Sequence, residues 1–165
     1  MVVPDIVALA DGLAAGERLL GLDVGAKTIG LAISDRGLSV ASPLETLRRG
    51  KLADDVAALQ KVCAARAVGG LVVGLPVNMD GSEGPRCQSV RQFLANLAER
   101  GLDLPAAFWD ERLSTAAVER LLVAEADMTR KRRRRVVDKM AAAYILQGAL
   151  DALAARRRGG RGQGS

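Results

Sequence analysis

Three carboxylates, Asp23, Glu111 and Asp138, sit where an ionised side chain costs free energy unless a partner compensates it. Asp23 ends the apolar run Leu19-Leu20-Gly21-Leu22, and a glycine turn and a second apolar run, Thr28 to Ser34, follow. This reads as a β-hairpin with an acid at its lip. Glu111 follows the run Ala106-Ala107-Phe108-Trp109-Asp110 at the end of a later strand. Asp138 heads a helical stripe, Ala141, Ala142, Ile145 and Ala149, at i+3, i+4, i+7 and i+11. Those small residues let the helix approach a sheet closely, which brings Asp138 toward the other two acids. Three carboxylates in one dry corner repel, and Mg²⁺ or Mn²⁺, hard cations that prefer oxygen ligands, would let them coexist ionised. Each acid alone has a plainer reading: Asp23 as a turn residue, Glu111 as a partner of Arg112, Asp138 as an exposed helix acid paired with neighbouring arginines. Their convergence beside a basic segment favours a metal site.

Composition narrows the chemistry further. There is no histidine, and Cys63 and Cys87 are isolated, so zinc, haem and Cys/His nucleophile chemistry lack their usual ligands. Carboxylates, hydroxyls and lysine remain. The net charge of +5 is unevenly spread: residues 130 to 165 carry eleven Lys/Arg against two acids, or +9, which leaves −4 for residues 1 to 129. The run Arg130-Lys131-Arg132-Arg133-Arg134-Arg135 suits a flexible segment that pairs with phosphates and releases counterions, or else a solvated loop before a helix. The acidic remainder favours a polyanion partner. Aromatic residues make up 2% of the chain, too few for a base-stacking platform, so backbone and shape recognition are expected. No uncharged apolar run reaches eighteen residues, and Asp5, Asp11 and Glu17 mark the first seventeen residues. A cytoplasmic protein without a membrane partner is expected.

The elements that must position these groups follow from periodicity. Residues 1–17 read as an N-terminal extension that is either loosely held or a short helix, and Leu19–Val24 and Thr28–Ser34 as the hairpin arms. Leu38 to Leu47 is a third strand that Pro43 confines to an edge or bulge. Leu52, Val56, Leu59 and Cys63 mark a helix that Gly69-Gly70 is expected to end, and Leu71–Leu75 a strand buried between helical layers. The polar loop Pro76 to Pro85 leaves that strand. Val90, Phe93, Leu94 and Leu97 mark a second helix, Ala106–Trp109 a fifth strand, Ser114 the N-cap of a helix through Leu122, and Val136 to Ala155 a last helix. Residues 156–165 are expected to be a disordered basic tail. The result is one α/β domain, residues 18–155. Its sheet is mixed and five-stranded, three antiparallel strands followed by α-β-α-β-α, with helices on both faces. The carboxyl ends of strands one, four and five meet at one rim, where such sheets bind ligands.

Four ordered motifs carry a family resemblance: Leu22-Asp23-Val24-Gly25-Ala26-Lys27-Thr28-Ile29-Gly30-Leu31-Ala32-Ile33-Ser34-Asp35, then Val72-Val73-Gly74-Leu75-Pro76-Val77-Asn78-Met79-Asp80-Gly81-Ser82-Glu83-Gly84. Asp110-Glu111-Arg112-Leu113-Ser114-Thr115 follows, and finally Val137-Asp138 with Ala141-Ala142 and Ile145-Leu146-Gln147. From about Leu19 to Asp151 the chain resembles the bacterial YqgF/RuvX family. The resemblance implies an RNase H-like fold related to Holliday junction resolvases, and a metal-dependent endonuclease that matures the 5′ end of precursor 16S ribosomal RNA, resolves branched DNA, or both. It makes Asp23, Glu111 and Asp138 the catalytic and metal-binding triad around two divalent ions. The strand position of Asp23 favours it as the bridging ligand, and Asp110, which would point to the other face of a continuing strand, is second choice to Glu111. Lys27, Arg112 and the basic run Arg130 to Arg135 are the candidate nucleic-acid contacts, and Asn78 to Arg86 a loop shaping substrate access. A solvated hairpin lysine and a strand-end salt bridge are the alternatives for Lys27 and Arg112. The N-terminal extension and the arginine density at 130 to 135 depart from the family's usual form. The chain could act as a monomer or a homodimer. Two other functions compete: a non-catalytic RNA-binding ribosome-assembly factor, and an actin/Hsp70-like ATPase, whose fold also opens with Asp-x-Gly in a hairpin but whose second domain 165 residues cannot supply.

Overall fold

A computed structural model describes residues 1–113 and 130–163, with side chains described for 1–113 and 140–160. The expected helix from Ser114 to Leu122 lies outside the described residues. In chain order the elements are α1 (Ile6–Asp11), β1 (Arg18–Val24), β2 (Thr28–Ser34), β3 (Ala41–Arg48), α2 (Leu52–Ala65), β4 (Val68–Leu75), α3 (Pro85–Glu99), β5 (Ala106–Asp110), a 3₁₀ turn (Glu111–Leu113) and α4 (Arg130–Gln163).

The strands form one sheet in the order β3-β2-β1-β4-β5, with β1–β2 and β2–β3 antiparallel and β1–β4 and β4–β5 parallel. This is the expected mixed sheet, and its periodicity explains its two cores. On one face Leu22, Leu31 and Val73 meet Leu59 of α2 and Phe93 and Leu97 of α3. On the other, Leu19, Ala32 and Val72 meet Leu9 of α1 and Leu146, Leu150 and Leu153 of α4. Each such large apolar side chain stabilises the fold by about 1.5–3 kcal/mol on burial. Strand β4 is buried along its whole length, as its continuous apolar run requires. Strand β3 takes the edge, and the register shifts by one residue between Leu31 and Ala32 where Pro43 enters the ladder.

Three expectations change, and one open alternative is decided. Gly69-Gly70 does not end a helix; α2 stops at Ala65, the chain turns at Ala67 with φ 53°, and both glycines lie inside β4. Their role is close approach. A Cβ on Gly70 would stand 2.8 Å from Leu9 and 3.0 Å from Leu19, and one on Gly69 2.5 Å from the Glu17 carboxyl group. Residues 1–17 take the short-helix alternative and not the loose one: Val3 N–H donates to the Ala106 carbonyl at 2.8 Å, Ala106 N–H donates to the Met1 carbonyl at 2.9 Å, and α1 buries Ile6, Leu9 and Ala10. The last helix starts at Arg130 instead of Val136, so the basic run is helical; Lys and Arg are good helix formers. The same helix continues through the expected disordered tail to Gln163, and Arg156 pairs with Asp5 at 3.0 Å.

Helix α4 lies tightly on the sheet because β1 offers it a glycine. A Cβ on Gly21 would stand 2.9 Å from the Leu146 Cβ and 3.0 Å from the Ala142 carbonyl oxygen. Gly21→Ala is therefore expected to destabilise the fold by about 1–3 kcal/mol through overpacking, read as a fall in the denaturant midpoint at unchanged m.

Candidate active site

Asp23 owes its setting to strand register. It pairs with Gly30 of β2, which pairs with Thr46 of β3; on the other side, Gly74 lies one residue beyond the Leu22–Val73 pair and is itself paired with Trp109 of β5. Paired residues share a face, so Asp23 stands half-buried on the α4 side between two glycines. Those glycines leave a shallow floor beside the carboxylate. Glu111 uses it: after β5 ends at Asp110, the 3₁₀ turn carries Glu111 back over the sheet, and a Cβ on Gly74 would lie 2.6 Å from the Glu111 Oε1.

The two acids are hydrogen-bonded to each other. Burial first, then the charge of Asp23 and that hydrogen bond, push the Glu111 carboxyl up from the ordinary 4.5 to about 7, opposed by the positive charge of Arg86. Two carboxyl groups this close disfavour double ionisation, so Glu111 keeps its proton to a higher pH than a free glutamate. The donor set, hard carboxylate oxygens, fits Mg²⁺ or Mn²⁺. Among the described residues no group of three His, Cys, Asp or Glu side chains is placed to hold a metal ion. The described half of the site is therefore the pair Asp23 and Glu111.

Asp138 lies on α4, but its side chain falls outside the described residues, as do those of Arg130, Lys131, Arg132, Arg133, Arg134 and Arg135. The described part of the helix gives its direction: Ala142 and Leu146 lie over Gly21 in mid-strand, whereas Arg156 reaches Asp5, beside α1. Its early residues thus lie toward the carboxyl ends of the strands.

Asp110 and Glu111 diverge. Asp110 accepts from the Arg112 guanidinium at 2.6 Å from Nη2 and 3.0 Å from Nε, and this partner lowers its carboxyl below the usual range. Arg112 is therefore committed to the strand-end salt bridge, with Asp110 as its carboxylate in place of Glu111. Lys27 is exposed at the tip of the hairpin, which Gly25 N–H closes by donating to the Thr28 carbonyl at 2.8 Å. Asp35 lies at the opposite end of β2 and accepts from Ser39 and Val40 N–H at 2.7 and 3.0 Å, a structural role.

Beside Glu111 opens a cleft of about 520 Å³, lined by Pro76, Asn78, Met79, Arg86 and Arg112 among others. Its wall is stiff. Within the loop, Asn78 N–H donates to the Ser82 carbonyl at 2.9 Å, and Glu83 takes a two-pronged bond from Arg91, whose guanidinium lies 4.6 Å over the Phe108 ring. Two residues were missed by sequence reasoning. Arg86, at the start of α3, acts on Glu111 and was visible only as the end of a polar loop. Arg49 donates its Nη1 to the Gly25 carbonyl at 2.7 Å and its backbone N–H to the Lys27 carbonyl at 2.8 Å. Nothing in its sequence context marks that reach of 24 residues.

Residues 17–152 match the family described as "RuvX: Holliday junction resolvase". A relative from Rhodospirillum centenum is 59% identical over 157 residues, 93% of this chain and 83% of the relative, and is named "Putative pre-16S rRNA nuclease". A relative of the same name from Paramagnetospirillum magneticum is 62% identical over 143 residues, 87% of this chain and 91% of the relative. Among solved structures, Thermus thermophilus RuvC in complex with a Holliday junction substrate aligns over 86% of this chain and 96% of its own, with 17% identity and a TM-score of 0.50. That likeness bears on the fold, which is RNase H-like.

Because the folded state holds the Glu111 proton more tightly than the unfolded chain, this group's contribution to stability is fully present below pH 4.5 and is lost as pH rises through about 7. Glu111→Gln removes that dependence. In metal-free buffer the melting temperature of the variant is expected to gain on that of the parent between pH 4.5 and 7; a constant difference would overturn the assignment of the raised carboxyl to Glu111.

Proposed function

We propose that this chain, which belongs to the RuvX family, is a divalent-metal-dependent nuclease that hydrolyses phosphodiester bonds in structured nucleic acid, with precursor 16S ribosomal RNA as the first candidate substrate and branched DNA as the second. The observation that carries the reading is the Asp23–Glu111 pair: two carboxylates pressed together on a glycine floor at the open rim of an RNase H-like sheet, with Glu111 raised to about 7. Asp138 is the third acid of the proposal. Its support is the helical stripe it heads and the fit of Ala142, one turn later, against Gly21.

In this reading Asp23, Glu111 and Asp138 hold the metal. Two divalent ions, when bound, supply a water activated for in-line attack and charge neutralisation at the leaving oxygen. The protein's own groups set the geometry. Asp23 is fixed by its place in the sheet, with a strand on either side, and Glu111 by the 3₁₀ turn that follows β5. Arg86 keeps positive charge near Glu111, favouring its ionised, metal-ready form. The cleft between Asn78 and Arg112 offers room for the strand leaving the site. The basic run lies on the first described turns of α4, and this reading assigns its positive charge to the phosphate backbone of the substrate.

Three outcomes test the reading. Glu111→Gln and Asp138→Asn should each lower Mg²⁺- or Mn²⁺-dependent cleavage of precursor 16S RNA or four-way junctions by more than about 100-fold, since even groups that merely orient ligands are worth roughly 10–100-fold. Binding to the same substrates should persist; undiminished cleavage in both variants would sink the triad. Gly74→Ala puts a methyl group 2.6 Å from the Glu111 Oε1 and should likewise suppress cleavage. Neutralising Arg130 to Arg135 should flatten the dependence of log affinity on log salt by about 0.7–0.9 for each phosphate that is no longer neutralised.

A further inference from the structure

The sheet continues past Asp23 on the side away from Glu111, and its register carries positive charge there. Asp23 pairs with Gly30 and Gly30 with Thr46; in the next row toward the hairpin tip, Thr28 pairs with Arg48. Side chains alternate along a strand with a period of two, so Arg48 lies on the same face as Asp23. Strand spacing puts their Cα atoms roughly 12 Å apart. Glu45, three residues earlier on β3 and paired with Leu31, points to the opposite face. Arg48 and Lys27 are both exposed, and neither side chain has a hydrogen bond or ion pair among the described residues. Arg91, Arg112 and Arg156, by contrast, are committed to Glu83, Asp110 and Asp5.

The neighbouring Arg49 holds this corner rigid. Its backbone N–H bonds the Lys27 carbonyl, its guanidinium bonds the Gly25 carbonyl, and the same group lies 4.7 Å over the Phe93 ring of α3. The hairpin tip, the end of β3 and α3 are thereby tied at one point, so the backbone that carries Lys27 and Arg48 keeps a set position relative to Asp23.

We propose that Lys27 and Arg48 form a phosphate-binding subsite for the nucleic-acid backbone on the β3 side of Asp23, held in place by Arg49. The identity of the anion as a nucleic-acid phosphodiester rests on the nuclease reading; the position of the subsite does not. It orients the strand by charge at a phosphate beyond the scissile one and reads no base.

Binding of a fluorescent junction oligonucleotide to the Asp23→Asn protein, which separates binding from cleavage, tests this across a range of salt concentrations. Lys27→Ala and Arg48→Ala should each weaken binding severalfold and reduce the salt slope by about 1, and Arg48→Lys should restore the slope. Lys61→Ala on the exposed side of α2 is the control for net charge and should change neither. Single neutral methylphosphonate linkages, scanned along the strand, should include one position that costs the parent affinity and costs Arg48→Ala nothing further. Unchanged affinity and slope in both variants, an equal loss in Lys61→Ala, or a loss spread evenly over all linkages would overturn the subsite. Cleavage by the unmutated protein is scored separately: its failure would count against the nuclease reading, while the binding series still decides the subsite.

Discussion

Two carboxyl groups held in contact set the terms for the rest of this molecule. Asp23 and Glu111 share a hydrogen bond, and burial plus mutual repulsion raise the Glu111 carboxyl to about 7. In water the two would separate. Here Asp23 is built into the second-last position of a central strand, and a short 3₁₀ turn brings Glu111 back over Gly74, so the backbone holds the two side by side. Repulsion held in place this way is what a divalent cation relieves.

The glycines are the structural means. Gly74 leaves the space that the Glu111 carboxylate fills, Gly30 flanks Asp23 on the other side, and Gly21 admits α4 against β1. A side chain at Gly21 or Gly74 would push away either the helix that carries Asp138 or the acid itself. Around that floor the polar groups are tied down in pairs: Asp110 to Arg112, Glu83 to Arg91, and the hairpin tip to Arg49. These exposed pairs add little stability one by one. Their effect is local: they tie the strand end after β5, the loop before α3 and the hairpin tip beside the two acids.

Much of this could be read from the chain. Alternating and helical apolar patterns placed the five strands and the helices α2 and α3 to within a few residues, and Pro43 marked β3 as an edge. Local cues misled where a residue type has two uses. Gly69-Gly70 resembles a helix stop but serves close packing inside β4, because what a glycine lacks matters only once Leu9, Leu19 and Glu17 are folded against it. The small-residue N-terminus read as loose or as a short helix; its backbone extends the sheet at Ala106 and α1 fills the second core. The basic run and the tail read as flexible because charge density was weighed above helix propensity.

What the sequence by itself determined was the set of acids, their order along the chain, and the strand ends on which Asp23 and Glu111 fall; residue chemistry and hydrophobic period are local properties. Only the tertiary structure decided which groups face one another. It paired Arg112 with Asp110 and left Glu111 to Asp23, brought Arg86 near Glu111, and sent Arg49 across 24 residues to the hairpin that carries the first acid. Those contacts depend on strand register and on the close fit of helix to sheet, where a shift of one residue would turn each side chain to the other face.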